Sequence, residues 1–288
     1  MQQVNSANNQ MDLIELDSGK VPPWEGFREA FILHLADNAL ILAQRNSEWC
    51  GHGPVLEQDI AITNISLDLL GQARNLYQYA ALLINKESHN SLATSLHNAG
   101  KEVTEDSLSF LRTEREFKNC LLVEQPNGNW GHTILRQYLF SVYQYLLYGQ
   151  LQYSKDENLA AIAVKSLKEV TYHVRWSSEW VIRLGDGTAE SHKKMVQALE
   201  ETWPFTGELF LPEPYENETI TGFDLVSLQQ PWLQKITSIL EEATLLSSAL
   251  NEKVFMQIGG KKGLHTEHMG YILAELQYMQ RAYPDAEW

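Results

Sequence analysis

The 288-residue sequence predicts an all-α protein built on a four-helix bundle, and three observations carry that prediction. Apolar residues recur at three- and four-residue steps over four long segments, the period of a helix that buries one face. Short turns join these segments in two pairs, while a long irregular stretch separates the pairs. No run alternates apolar and polar residues between turn signals, as a half-buried strand would.

Taken in order, residues 1–24 are polar, rich in Asn and Gln and broken by Pro22 and Pro23, which predicts a flexible leader ahead of one helical domain over 25–288. Phe27, Ala30, Phe31, Leu35, Ala39, Leu42 and Ala43 share one helical face and predict a first helix over about 27–50. Gly51, His52, Gly53 and Pro54 end it. Ile60, Ile65, Leu69, Gln72, Leu76, Tyr77 and Leu83 predict a second helix over about 57–85, roughly 43 Å long at ~1.5 Å per residue. A shorter helix is expected over Glu102 to Phe117, and the turn-rich stretch from Glu124 to Gly131 suits a crossover.

The third long helix, over about 133–153, is aromatic-rich, with Tyr138, Phe140, Tyr143, Tyr145 and Tyr148. The fourth, over about 158–184, carries Leu167, Tyr172, Trp176, Trp180 and Val181 and stops at Gly185, Asp186 and Gly187. Two long helices, a crossover and two more give the ferritin-like order. Further helical stretches are expected near 188–210, 231–250 and 266–283, the last after the cluster Gly259, Gly260, Lys261, Lys262, Gly263.

Composition bounds the function. With 44% hydrophobic residues, 9 Pro and 17 Gly, the chain can bury a sizeable core. A net charge of -15 repels a phosphate backbone, which argues against nucleic acid or an anionic membrane as partner. Cys50 and Cys120 are too few for a disulfide framework, no apolar signal core follows Met1, and no window reaches the roughly 18 apolar residues of a membrane span. The expectation is a cytoplasmic protein.

A carboxylate-bridged di-iron site in such a bundle takes a carboxylate from each of two helices and a Glu-x-x-His pair from each of the others. That spacing puts both side chains on one face, a turn apart. The sequence supplies little of it: Asp68 has no histidine three residues on, and Glu169 and His173 are four apart.

Ser47 to His52, the run ISLDLLGQARN from Ile65 to Asn75, LLVEQPNGNW from Leu121 to Trp130, KEVTYH from Lys168 to His173 and GGKKGLHTEHMG from Gly259 to Gly270 together resemble the PaaC family, the structural subunits of bacterial phenylacetyl-CoA epoxidases. The resemblance covers nearly the whole chain beyond the leader. It implies a ferritin-like fold without catalysis of its own, stably bound to a PaaA-like catalytic subunit of similar fold that holds the di-iron centre and the CoA thioester. It also implies a reductase with FAD and iron–sulfur that draws on NADPH, and a small accessory subunit, as further partners.

Laid over the catalytic subunit's ligand pattern, the first-helix Glu falls on Glu48, the second-helix pair on Leu69 and Gln72, the third-helix carboxylate on Ser141, and the fourth-helix pair on Val170 and His173. Only Glu48 and His173 keep the ligand type, so the resemblance implies vestigial positions without metal and no cofactor in this chain. The expectation is that Glu48 and His173 pair inside the bundle, with Gln72 and Ser141 completing the network and Asp68 and Glu169 either joining it or facing solvent. Lys261, Lys262, His265, Glu267 and His268 are expected at partner, anion or helix-end contacts, since three donors so close on one segment cannot converge on a metal. Trp49, Trp130, Trp176, Trp180, Trp203 and Trp232 are expected mostly in the core, with some at a docking surface. Beside this scaffold reading stand two others: a ferritin-like di-iron oxygenase or oxidase with its own site, and a free-standing helical binding protein.

Overall fold

The computed structural model describes residues 26–86, 102–246, 254–283 and 286; the leader expected over 1–24 lies outside them. Among the described residues the regular elements are all helical. Helix α1 (Phe27–Ser47) and α2 (Leu56–Lys86) form the first hairpin. The first helix stops three residues short of Cys50, because the Trp49 and Cys50 amides bond the Asn46 and Ser47 carbonyls, three residues back, and tighten the chain into a turn.

The crossover is more broken than a helix over 102–117. A short α3 (Glu105–Phe110), boxed by Thr104 and Ser107, gives way to a single 3-10 turn at Glu114–Glu116 and then to α4 (Leu121–Glu124). The second hairpin follows: α5 (Trp130–Leu151) starts early because the Asn129 side chain accepts from the Gly131 and His132 amides, and α6 (Glu157–Gly185) starts where Asp156 accepts from Asn158 and Leu159.

Cross-helix contacts fix the directions. Asn46 meets Gln137 and Trp49 meets Thr133, so α1 and α5 run antiparallel; Asp68 meets His173 and Gln72 meets Glu169, so α2 and α6 do as well. The parallel relation this leaves between α2 and α5 is what the long crossover provides, and the topology is ferritin-like.

The C-terminal part wraps one side of the bundle. It comprises α7 (Ala189–Thr202), 3-10 turns through Phe210, a short α8 (Glu218–Thr221), α9 (Gln229–Glu242), α10 (Glu267–Leu276) and α11 (Tyr278–Ala282). The helix expected to reach 250 ends at Glu242, and residues 247–250 of that stretch are outside the described ones. The single helix expected over 266–283 breaks at Gln277, whose side-chain amide donates to the Arg112 and Ser109 carbonyls.

This wrapping makes the layers unequal. Sixteen of the 21 residues of α1 are buried, on every face, so α1 is a central helix and not the one-faced amphipathic helix its apolar spacing suggests. Its polar residues are therefore committed to internal bonds. Asp37 shows the consequence: it receives Tyr77 Oη at 2.6 Å, the Lys118 amide at 2.8 Å and both Nη atoms of a fully buried Arg112. Burial opposes the Arg112 charge, Asp37 and Tyr77 outweigh it, and its pKa is raised.

Candidate functional site

The inner positions of α1, α2, α5 and α6 are where a metal centre of this fold would lie, and they hold two polar chains. On the α1–α5 side, Asn46 Nδ2 donates to Gln137 Oε1 at 2.6 Å and Gln137 Nε2 donates to Ser141 Oγ at 2.8 Å. Arg136 donates to Asn46 Oδ1 at 3.2 Å and to Asn127 Oδ1 at 2.6 Å. On the α2–α6 side, Gln72 Nε2 donates to Glu169 Oε2 at 3.0 Å, while Gln72 Oε1 accepts from Tyr148 Oη at 3.4 Å. His173 is fully buried and sets Nε2 3.0 Å from Asp68 Oδ2. Leu69 and Val170 are fully buried between these groups.

Glu48 is not inside. It sits exposed at the C-cap of α1, where its carboxylate accepts from Arg45 at 3.0 Å and from Asn127 Nδ2 at 2.8 Å. The expected Glu48–His173 pair is thus replaced by His173–Asp68, because the helix ends before Glu48 can turn inward. Asp68 and Glu169 both join the network. Glu48 serves instead as counter-charge at a cationic corner: burial, and then Arg45, push the Arg136 guanidinium down to about 9, and Glu48 opposes them. Among the described residues no three His, Cys, Asp or Glu side chains are grouped to hold a metal ion.

The second cluster is the Gly259–Gly270 segment, which packs against α1 and the crossover. Three buried acids clasp it. Glu208 accepts from the Leu121 amide at 2.8 Å and the Gly259 amide at 2.7 Å, and burial raises its pKa despite these donors. Glu216 takes Lys261 Nζ at 3.0 and 3.1 Å, and the same ammonium reaches the Leu209 and Leu211 carbonyls. Glu124 takes His265 Nδ1 at 2.7 Å and the Thr266 amide at 2.6 Å. Two glycines let the segment come this close: a Cβ on Gly260 would stand 2.4 Å from the Asn119 carbonyl oxygen, and Gly263, at φ +77°, would meet the Arg115 carbonyl at 2.2 Å.

Lys261 and His265 are accordingly internal, not partner or anion contacts: their side chains are 1% and 0% exposed. Lys262 is outside, its side chain 59% exposed and 3.4 Å from Glu213; Glu267 is exposed in the first turn of α10, and His268 is half-buried. The tryptophans pack as well. Trp49, Trp130 and Trp176 stack edge to face at 5.0 and 6.2 Å, Trp203 and Trp232 lie 5.7 Å apart in the core, and Trp180 packs partly buried against it.

The residues sequence reasoning missed are Asp37, Asn46, Arg112, Gln137 and the three clasping acids. The signal for the α1 members was present as polar residues inside an apolar helical run. The acids stand in loops or short turns and carried no periodic signal.

A pH dependence follows from the clasp. Burial disfavours the charged His265 ring, but the Glu124 hydrogen bond and charge, with the Phe117 carbonyl, outweigh it and raise its pKa. A folded-state pKa above the unfolded one contributes stability that is fully present below the unfolded value, about 6.5, and is lost as pH rises through the folded value. The stability gap between the unmodified chain and His265→Gln, measured by urea unfolding, is expected to be widest near pH 6 and to narrow as pH rises through the folded His265 pKa. A gap that widens with pH contradicts this.

A family model described as phenylacetic acid catabolic protein matches residues 28–288. The chain is similar to the C subunit of the 1,2-phenylacetyl-CoA epoxidase of Escherichia coli strain K12, with 46% identity over 262 residues, covering 90% of this chain and 98% of that protein. No helix among the described residues is long and apolar enough to cross a membrane. With its ferritin-like helical fold and a family match that spans the whole bundle and the clasp, the chain belongs to the phenylacetic acid catabolic protein family.

Proposed function

We propose that this chain is the non-catalytic structural subunit of a cytoplasmic phenylacetyl-CoA epoxidase, where it binds and stabilises a di-iron catalytic subunit of the same fold. The observation that carries the reading is the donor inventory inside the bundle. Leu69 and Val170 stand buried at positions aligned with metal-binding carboxylates, Glu48 is at the rim, Gln72 and Ser141 are spent in amide chains, and His173 holds Asp68. Each iron of such a pair needs several oxygen or nitrogen donors, which leucine and valine do not supply, and metal charge against apolar side chains is costly. The residues do not fit a carboxylate-bridged di-iron group, and no reaction step is assigned to this chain.

The likeness to one subunit of such an epoxidase, over nearly that protein's full length, supports the same place in a complex. The iron, and the NADPH, FAD and iron–sulfur of a reductase, then belong to other subunits; the reductase and a small accessory subunit are further partners of the assembly. Co-expression with the catalytic subunit tests the reading. The expected result is a complex stable through size exclusion and a higher soluble yield of the catalytic subunit than when it is made alone. Separate elution with unchanged yield overturns it.

A further inference from the structure

The two layers of the bundle differ in what covers them. The α1–α5 layer is covered along most of its length, while α2 meets the crossover at Arg74 and Gln78, α6 meets α7 and α9 towards its end, and only 13 of the 31 residues of α2 and 9 of the 29 of α6 are buried. The part of the α2–α6 face left open has a distinct chemistry. Lys165, Lys168, Arg175 and Arg183 follow one another at three-, seven- and eight-residue steps along the exposed side of α6, which places them in one row. Between Lys165 and Arg183 the acid in that row, Glu179, is shared at 3.9 and 3.8 Å between Arg175 and Arg183, Glu169 turns to Gln72 instead, and Glu157 stands two turns before Lys165. On a chain of net charge -15 the row from Lys165 to Arg183 is locally positive, with Asp68, 38% exposed, held beside it by His173.

Apolar groups accompany the cations. Val164 and Tyr172 on α6 are 43% and 40% exposed, and Ile60 and Leu67 on α2 are 52% and 58% exposed, each pair spaced to form a ridge along its helix. One turn beyond Leu67 is Gly71, where an added Cβ would touch nothing. A glycine inside a helix costs about 1 kcal/mol relative to alanine. Among the described residues nothing occupies the place of a Gly71 Cβ, which leaves room there for the close approach of a second backbone.

From these observations we infer that the outer α2–α6 face is the docking surface for an acidic helical face of the catalytic subunit, an inference that rests on the scaffold reading above. Charge selects both partner and register. A carboxylate-bearing subunit is repelled by the acidic molecule as a whole and attracted at this row, so it is steered to one orientation. The exposed ridges of Ile60, Leu67, Val164 and Tyr172 then supply the apolar contact that exposed charges alone do not provide.

The test uses the full chain co-expressed with the catalytic subunit, unmodified and as K165E/K168E/R175E, with L67D as an apolar counterpart. All four positions are exposed, so circular dichroism and thermal midpoint are expected to stay unchanged. The unmodified complex is expected to weaken with rising salt, and the triple variant to lose at least about tenfold in affinity. Carbodiimide is expected to cross-link Lys165 and Lys168 to aspartates or glutamates of the catalytic subunit. If the unmodified pair associates while both variants bind within about twofold of it, or the cross-links map to other faces, the docking inference is overturned and the scaffold reading stands. A variant that splits a self-dimer but leaves the mixed complex intact assigns the face to a second copy and also overturns it. If the unmodified pair does not associate, the scaffold reading and the inference fall together.

Discussion

Asp37→Ala is expected to destabilise the fold by about 3–5 kcal/mol, the cost of breaking a buried ion pair from one side. The carboxylate sits in α1, fully buried, and its partners come from α2 through Tyr77, from the crossover through Arg112, and from the Lys118 backbone. Removing it leaves the Arg112 guanidinium against the Tyr77 and Phe117 rings, with the Tyr77 hydroxyl and the Leu108 and Glu116 carbonyls as neutral acceptors. Chemical denaturation checks the size of the effect. The double variant D37L/R112M separates the causes: if the stranded charge dominates, the double change costs less than Asp37→Ala alone. Equal or greater loss in the double variant would mean that packing, not charge, sets the cost.

Lys261→Met is expected to have a comparable effect, about 3–5 kcal/mol, and a localised one. The methionine stem fills most of the volume, but Glu216 loses its ammonium, and the Leu209 and Leu211 carbonyls lose their donor. In the unmodified chain the neighbouring His34 is not the counter-charge: burial lowers its pKa, Glu216 only partly opposes this, the Lys261 charge lowers it further, and Nδ1 lies 2.6 Å from the Lys118 carbonyl. Lys261→Arg is not expected to rescue, since a flat, wider fork does not reproduce an ammonium set among one carboxylate and two carbonyls. Limited proteolysis reads the location. Cleavage is expected to concentrate between Val254 and Thr266 in the variant, ahead of bundle unfolding, because the clasp holds that segment. A variant as stable and as protease-resistant as the unmodified chain would show that the clasp contributes nothing.

The four bundle helices were legible because each carries a long periodic signal, and because Asn129, Asp156 and the Gly185–Gly187 turn mark ends by local bonding that sequence encodes directly. The crossover was less legible. Its apolar residues, such as Phe117 and Leu122, are spaced to fill gaps between helices, so periodicity extended a helix across Glu102–Phe117 where a short one stands. The central position of α1 was hidden for a related reason: a helix buried on every face shows its apolar face plainly, and its Asp37, Asn38 and Asn46 resemble a solvated side until their partners, remote in sequence, are known.

The candidate site divides in the same way. Leu69, Gln72, Ser141, Val170 and His173 lie inside the bundle, because their register along regular helices follows from sequence. Glu48 does not, because a three-residue change in where α1 ends moves it from core to rim. Residue type misled at Lys261 and His265. Lysine and histidine between glycines read as surface groups, and only the fold brings Glu216 and Glu124 to them.

The most direct test of the account is iron content. The full chain, made in iron-replete cells without its partner and purified without chelator, is expected to carry well under one iron per chain, while the catalytic subunit of the co-expressed complex carries the metal. About two irons per isolated chain would contradict the account and make this protein an oxygenase or oxidase in its own right.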